Sequence, residues 1–486
     1  MRLTTVARME LSAGDVRVYE PIVAEVTPDT PGTPGPDDTG DIDSGRLPSF
    51  DQARHAGDGT RPGSWMAVAF AAPATGPPVD EDRIAAAWHR VIERHGTLRT
   101  VLRQHPPDHI RVHDIEITGG DWRSAGGSSD PRKVLRLVFD ECCEPFGTPS
   151  HRLAVVTHED GTHTIVIGLD HSHTDAWSLL VLVRDMLAFL GQRDEEDPSV
   201  AATPDALPPA VPSFAEHTRE LEQRPMAPLT VSDRWDDIMA DGHGDMPVFP
   251  LDLGDVSSPR DEVVEVVDVL DSDGLARLEA AVASRGVRLL PAAVSVLTAV
   301  NRELGAGDLR AVFPVHSRTG PVDDKRRWSD SVGWFITNSV LECSSADLGE
   351  CTGAVAEAIA LGAHPLEPLL RPWGGMPHTP GMFALSWLDN RRLPVSVPAE
   401  AHPQHVSAWI RTDGVMAWFV LNDDGMHLRV RYPGTPEASM NVSEWARRVT
   451  EGLRNVADRG FGSHGAGSDD AVLVGEDDNL SPVSQR

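Results

Sequence analysis

The 486-residue chain is 40% hydrophobic and 24% charged, the balance of a globular protein with a sizeable core. Its length allows about two to four structural units. Lysine and arginine together number 43 against 74 acidic residues, a formal net charge of −31, which argues against nucleic acid and anionic membranes as partners and favours docking on basic surfaces.

Lys133 and Lys325 are the only lysines, so recognition of any phosphate falls to arginine. The cysteines, Cys142, Cys143, Cys343 and Cys351, show no C-x-x-C spacing, which points to neither a zinc site nor a disulfide framework. The first residues hold no apolar stretch of the kind secretion needs. No run approaches the ~20 apolar residues of a membrane span. A cytoplasmic location is expected.

Strand-like alternation opens the chain at Asp15–Tyr19 and returns at Ser64–Phe70. Between them, residues 27–43 are rich in Pro, Gly and Asp and read as a mobile loop. A helix is expected from Asp80 to His95, with Ile84, Ala87, Trp88, Val91 and Ile92 on one face and Gly96 as its stop. Thr164–Leu169 is a strand that runs into a histidine-rich segment, and Leu179–Leu190 reads as a buried helix. Residues 192–212 turn from acidic to Pro/Ala-rich and mark a crossover between two halves. In the second half, helices are expected at Asp273–Ser284, Pro291–Leu304 and Val442–Val456. Strands are expected at Leu309–Val315, Trp334–Leu341, Met382–Trp387, Val415–Leu421 and Met426–Tyr432. Residues 461–486 read as a disordered tail. The expectation is an α/β (α+β) protein of two lobes sharing a cleft: 1–44 as strand and loop, 45–212 as the first lobe, 213–460 as the second, and 461–486 as the tail.

The segment Asp170-His-Ser-His-Thr-Asp-Ala-Trp-Ser178 is the candidate for carrying chemistry. It places His171, His173 and Asp175 within five residues of each other after an apolar strand. Three readings fit it. The cluster could be polar residues satisfied at a strand end. H-x-H-x-D also resembles the start of the metallo-β-lactamase motif, though Ala176 stands where that motif has a metal-binding histidine. Finally, a histidine on a tight strand-to-helix turn can act as a general base while the aspartate pairs with a distant arginine and fixes the loop.

At these residues the sequence resembles the condensation-domain superfamily. That group includes condensation domains of non-ribosomal peptide synthetases, polyketide-associated acyltransferases and chloramphenicol acetyltransferase. Its H-H-x-x-x-D-G signature aligns its second histidine with His171 and its aspartate with Asp175. Pro48-Ser-Phe-Asp-Gln52 is similar to the opening P-x-S-x-x-Q segment, one residue short, and Arg94-His-Gly-Thr-Leu-Arg-Thr100 to R-H-x-x-L-R-T. Pro145–Val156 resembles the segment before the catalytic strand, and Phe313–Arg318 the strand that ends in a structural arginine. Val332–Asn338 resembles V-G-x-F-x-N with one extra residue. Ser386–Asp389 and Arg431–Pro433 resemble late segments of the polyketide-associated branch. Two positions depart: Asp170 replaces the first histidine and Ala176 the glycine. Asp170 is expected to raise the His171 pKa unless a cation offsets it, and the Ala176 methyl to crowd the turn.

The resemblance implies two chloramphenicol acetyltransferase-like lobes forming a V-shaped pseudo-dimer around a central tunnel. It makes His171 the catalytic base, Asp175 and Arg318 a structural pair, and His173 a bystander. Asp170, Ser178, Trp334, Asn338 and Ser386 become candidates for lining the tunnel or binding substrate. No metal and no bound cofactor are implied. The acyl donor is expected as a phosphopantetheinyl thioester on coenzyme A or on an acyl or peptidyl carrier protein, and the acceptor as a small-molecule hydroxyl or amine. With no carrier or adenylation segment visible, a free-standing acyltransferase of natural-product or complex-lipid biosynthesis is expected. The alternative is a catalytically inactive docking protein for an assembly line.

Overall fold

The computed structural model describes residues 2–25, 45–73, 79–105, 109–128, 130–191, 210–320 and 324–461. The expected loop at 27–43, nearly all of the tail and most of the 192–212 crossover lie outside the described residues.

The first half contributes strands β1 (Arg2–Thr5), β2 (Gly14–Glu25), β3 (Trp65–Ala71), β4 (Thr100–His105), β5 (His109–Ser128), β6 (His151–His158) and β7 (His163–Asp170). Its helices are α1 (Phe50–Gly57), α2 (Glu81–Arg94), α3 (Pro131–Cys142) and α4 (Ala176–Gly191). The run Ile165–Leu169 is continuously apolar because β7 is covered on both faces. Ile165, Ile167 and Leu169 pack with α2 and α4, whereas Val166 joins Phe139 of α3 on the other side. Gly168 is required by close approach, since a Cβ there would lie 2.7 Å from the Phe139 ring. The α2 stripe, capped by Asp80, buries the five residues its periodicity marks. Helix α4 is apolar on every side and correspondingly buried through Leu179–Val183.

The second half adds helices α5 (Phe214–Glu222) and α6 (Leu229–Asp241), strand β8 (Arg260–Asp271), then α7 (Ser272–Ala283) and α8 (Leu289–Glu303). Strands β9 (Leu309–His316) and β10 (Ile336–Cys343) follow, with α9 (Leu348–Leu361), α10 (Leu366–Leu370) and β11 (Phe383–Asp389). The chain continues through β12 (Gln404–Ser407), β13 (Arg411–Thr412), β14 (Val415–Asn422), β15 (Gly425–Pro433) and α11 (Pro436–Arg459). Helix α11 is longer than its apolar stripe because Thr435 caps it and Pro436 occupies its first turn. One face of this second sheet is sealed by α7, α8 and α11, with Trp445 fully buried.

The two sheets have orders β1-β12-β3-β7-β6-β2-β5-β4 and β10-β9-β11-β14-β15-β8-β13. The protein is a mixed α/β structure of two lobes, as expected, but the lobes do not part cleanly at residue 212. Strand β12, from the second half, pairs antiparallel with β3 and parallel with β1. It covers what would otherwise be an open edge of the first sheet.

Beside this crossover strand lies a buried charge cluster. Arg429 Nη2 donates to Ser407 Oγ at 2.9 Å, and its guanidinium lies 4.5 Å over the Trp418 ring. Arg431 Nε lies 2.6 Å from Glu262 Oε2. Burial, with help from Arg431, pushes the Arg429 pKa down to about 9. Glu262 is the acid that compensates both arginines. Glu262→Gln is expected to cost about 3–5 kcal/mol, the usual penalty for orphaning a buried charge. Chemical denaturation of the two proteins checks it, and an unchanged midpoint would remove Glu262 from this role.

Candidate active site

The motif turn begins where β7 runs out of partners. Asp170 N donates to Ser150 O at 2.8 Å and His171 N to Ser64 O at 3.0 Å. Residues His171–His173 then form one 3-10 turn. The Asp170 carboxylate caps it, accepting from Ser172 N at 2.9 Å and Ser172 Oγ at 2.5 Å. Asp175 caps α4 in the same way, accepting from Ser178 N at 2.6 Å. Ala176 opens α4 outside the left-handed backbone region, so the turn accommodates its methyl group without backbone strain.

Asp175 and Arg318 are almost completely buried, and Arg318 Nη2 reaches the two carboxylate oxygens at 3.0 and 3.2 Å. Arg318 also donates to Trp328 O (2.7 Å), Ser331 O (2.8 Å) and Ser178 Oγ (2.7 Å), and lies 4.0 Å over the Phe335 ring. The second carboxylate oxygen accepts from Phe335 N at 3.0 Å. That bond explains why β10 starts at Ile336 and not at Trp334: the Phe335 amide is committed to Asp175 and not to a strand partner. Ser178 is not exposed to any cleft. Its Oγ donates to Gly333 O and accepts from Gly333 N, at 2.9 and 3.1 Å. A Cβ on Gly333 would stand 2.5 Å from Phe214, so only glycine fits between α5 and the motif.

This clamp sets Trp334 against the histidine. The rings of His171 and Trp334 lie 4.0 Å apart at 32°, and His55 of α1 meets Trp334 edge-on at 5.2 Å. His171 is half-buried. Its Nδ1 is buried and has no hydrogen-bond partner among the described residues. Nε2, unlike Nδ1, is not sealed in the interior, and it makes no hydrogen bond among the described residues. Burial, then the neighbouring His55, lowers the His171 pKa to about 4, against the opposing pull of Asp170 and Asp175. The rise expected from Asp170 is therefore absent. Its carboxylate is held by His55, whose Nε2 lies 3.2 Å from both oxygens while Arg61 Nη2 donates to Nδ1 at 3.1 Å. Burial works to raise the Asp170 carboxyl, yet His55, Ser172 and Ser64 hold it below the ordinary range.

His173 turns away from the cleft, with Nδ1 2.8 Å from Ser172 Oγ and Nε2 3.2 Å from Thr100 O. With Asp175 committed to Arg318, the H-x-H-x-D residues do not converge as a ligand set. No group of three or more His, Cys, Asp or Glu suited to a metal occurs among the described residues. The Arg94–Thr100 segment supports the turn from behind: Arg94 Nε and His95 Nε2 each reach Asp185 of α4 at 2.8 Å, and Thr97 Oγ1 donates to Val332 O at 2.6 Å.

Trp334 also lines a cavity of about 780 Å³ between the lobes, together with residues of α1, α5 and the 362–369 segment. Asn338 stands near it, Nδ2 3.5 Å from Asp51 Oδ1. Ser386 is buried on β11 opposite Trp418 and is not among the residues lining this cavity. Two residues of this region, Asp51 and His55, were not singled out from the sequence. Their i, i+4 spacing on a short capped helix was the available signal.

The condensation-domain family matches residues 67–356. The chain is similar to the acyltransferase PapA3 of Mycobacterium tuberculosis, at 23% identity over 350 residues, covering 67% of this chain and 70% of that protein. It is 31% identical over 138 residues to the nonribosomal peptide synthetase ivoA of Emericella nidulans, covering 27% of this chain but only 7% of that synthetase. Among solved structures, a PapA2 acyl transferase superposes with a TM-score of 0.76 at 19% identity, over 94% of this chain and 100% of the other. The first condensation domain of the calcium-dependent antibiotic synthetase, in complex with a substrate analogue, gives a TM-score of 0.61 at 14% identity, over 86% and 97%. Both share the fold.

Asp175→Asn and Arg318→Ala are each expected to lower stability by about 3–5 kcal/mol, because each leaves a buried partner uncompensated. Unchanged thermal melts for both would show the pair to be dispensable. Burial also depresses His151 to about 3, and His217 and His405 to about 4. Below pH ~6.5 the unfolded chain takes up protons that these folded residues refuse. Each therefore withdraws about 1.4 kcal/mol of stability per pH unit as pH falls toward 4. Calorimetric melts across pH 4–7 are expected to show a steady fall in Tm on the acid side.

Proposed function

The chain belongs to the condensation-domain family, and we propose that it moves an acyl group from a thioester to a hydroxyl or amine acceptor. The observation that carries this reading is the placement of His171: ring held against Trp334, which lines the interlobe cavity, with Nδ1 buried and Nε2 without a hydrogen bond among the described residues. A neutral imidazole with one open lone pair is what proton removal from an attacking nucleophile needs. The acceptor O–H or N–H attacks the thioester carbonyl while Nε2 takes its proton. The tetrahedral intermediate collapses, the C–S bond breaks, and the proton on His171 passes to the departing thiolate. The products are an ester or amide and a free thiol. Asp175 and Arg318 touch no reacting atom in this scheme and fix the turn that presents His171.

The donor is proposed to be a phosphopantetheinyl thioester, delivered on coenzyme A or a carrier protein, with the pantetheine arriving as part of the substrate. The PapA3 and synthetase relatives support a setting in natural-product or complex-lipid assembly, with a carrier protein as the partner. His171→Ala is expected to lower turnover by about 10²–10⁴-fold with the melting temperature retained. Acceptor-dependent thiol release, followed with a chromogenic disulfide, reads it. Release that persists at full rate would exclude His171 as the base and favour a docking role. The acid limb of kcat/KM is expected near pH 4, well below an ordinary histidine, because burial and His55 disfavour the imidazolium. His55→Gln removes a lowering influence and should move that limb upward. An acid limb near 6.5 in both proteins would contradict this electrostatic assignment.

A further inference from the structure

The interlobe cavity is lined mainly by apolar groups, among them Leu47, Phe50, Leu221, Met226, Trp334 and Ile336. Met226 and Leu47 stand 81% and 57% exposed at its margin, unusually open for such side chains. The charged and titratable residues that line it fall into two classes. His109, Arg111, Glu222, Arg224, His364 and Glu367 are exposed or half-buried, where solvent and salt screen them. Asp51 alone is a buried charged group, only 6% exposed.

Asp51 is poorly compensated by its own surroundings. The groups that act on it are Asn338 Nδ2, at a long 3.5 Å, the Thr337 side chain, and Arg54 through space. Burial consequently raises its pKa to about 6, against those influences. A carboxylate in an apolar cavity without a cation in contact is costly unless something that enters the cavity neutralises it. Asp51 lies one helical turn from His55, on the same face of α1, and His55 is 6.2 Å from the His171 ring. A group held by Asp51 would therefore sit on the order of 10 Å from the reacting atom, about one turn of helix beyond the first imidazole.

We infer that this cavity selects a substrate with an apolar body and a cationic amine, the ammonium group pairing with Asp51 while the body packs against Trp334. The inference rests on the acyl-transfer reading for the role of the site, but its test reads binding alone. The apolar walls exclude water from the pair, which makes the charge-assisted contact stronger than on an open surface. The six margin residues, of both signs and solvated, guide entry without fixing the bound group.

The test is isothermal titration calorimetry of the full chain with n-octylammonium chloride and with 1-octanol, at pH 8 and 150 mM sodium chloride. Octylammonium is expected to bind about tenfold or more tightly than octanol, the scale of one hydrogen bond to a charged partner. In Asp51→Asn the two probes should bind alike; Asp51→Ser serves the same purpose if the first variant does not fold. His171→Ala should keep the preference, so a failure of the catalytic assignment leaves this result readable. Equal binding of both probes by the natural protein, or a preference that survives loss of the carboxylate, would overturn the inference.

Discussion

The ion pair between Asp175 and Arg318 is the contact on which the remaining geometry hangs, because its two ends come from different lobes. Asp175 begins α4 directly after the histidine turn, and Arg318 ends the segment following β9. A buried pair of this kind contributes little net stability over an apolar substitute, since desolvation offsets the attraction. Its value lies in direction. The arginine fork also satisfies two backbone carbonyls, and the carboxylate also accepts the Phe335 amide. A shift of one lobe against the other would break several of these contacts at once. Trp334 is carried into place as a consequence, and with it one wall of the cavity and one face of His171.

The electrostatics of the turn follow from how Asp170 is neutralised. A carboxylate next to a histidine ordinarily favours the imidazolium. Here the charge is turned toward α1, where His55 faces both oxygens and Arg61 fixes the other ring nitrogen. Asp170 is also occupied as the cap of the 3-10 turn. The carboxylate is a structural anchor whose field at His171 is opposed by the imidazole it holds, leaving burial to decide the His171 pKa.

Local patterns made much of this readable from sequence. The α2 stripe is a strong periodic signal, the β7 and α4 segments are strong unbroken apolar runs, and each element occurs where its pattern places it. The Asp175–Arg318 pairing followed from a resemblance spread along the chain, which no single stretch would have carried. What escaped depends on contacts between distant segments. Nothing in Gln404–Ser407 announces that it leaves its own half to fill the edge between β1 and β3. Ser178 looks like a cleft residue until Gly333 is seen packed on it. Ser386 lies on a strand beside Trp418, away from the cavity Trp334 lines. In each case the deciding partner is more than 150 residues away, or on a neighbouring strand whose register the sequence does not specify.

Helix α1 is the clearest instance, since only its first three residues, Phe50–Gln52, fall in the opening motif read from sequence. Gln52 closes the capping box with Ser49 and sends its side-chain amide to Ser172 O at 2.8 Å, which binds the helix to the turn. That anchor fixes the rotation of α1, and the 3.6-residue period does the rest. His55 must then face Asp170, and Asp51, one turn earlier, must face the cavity. Through its contact with His55, Asp170 ties the charge beside His171 to the same rigid helix that carries the cavity's buried carboxylate.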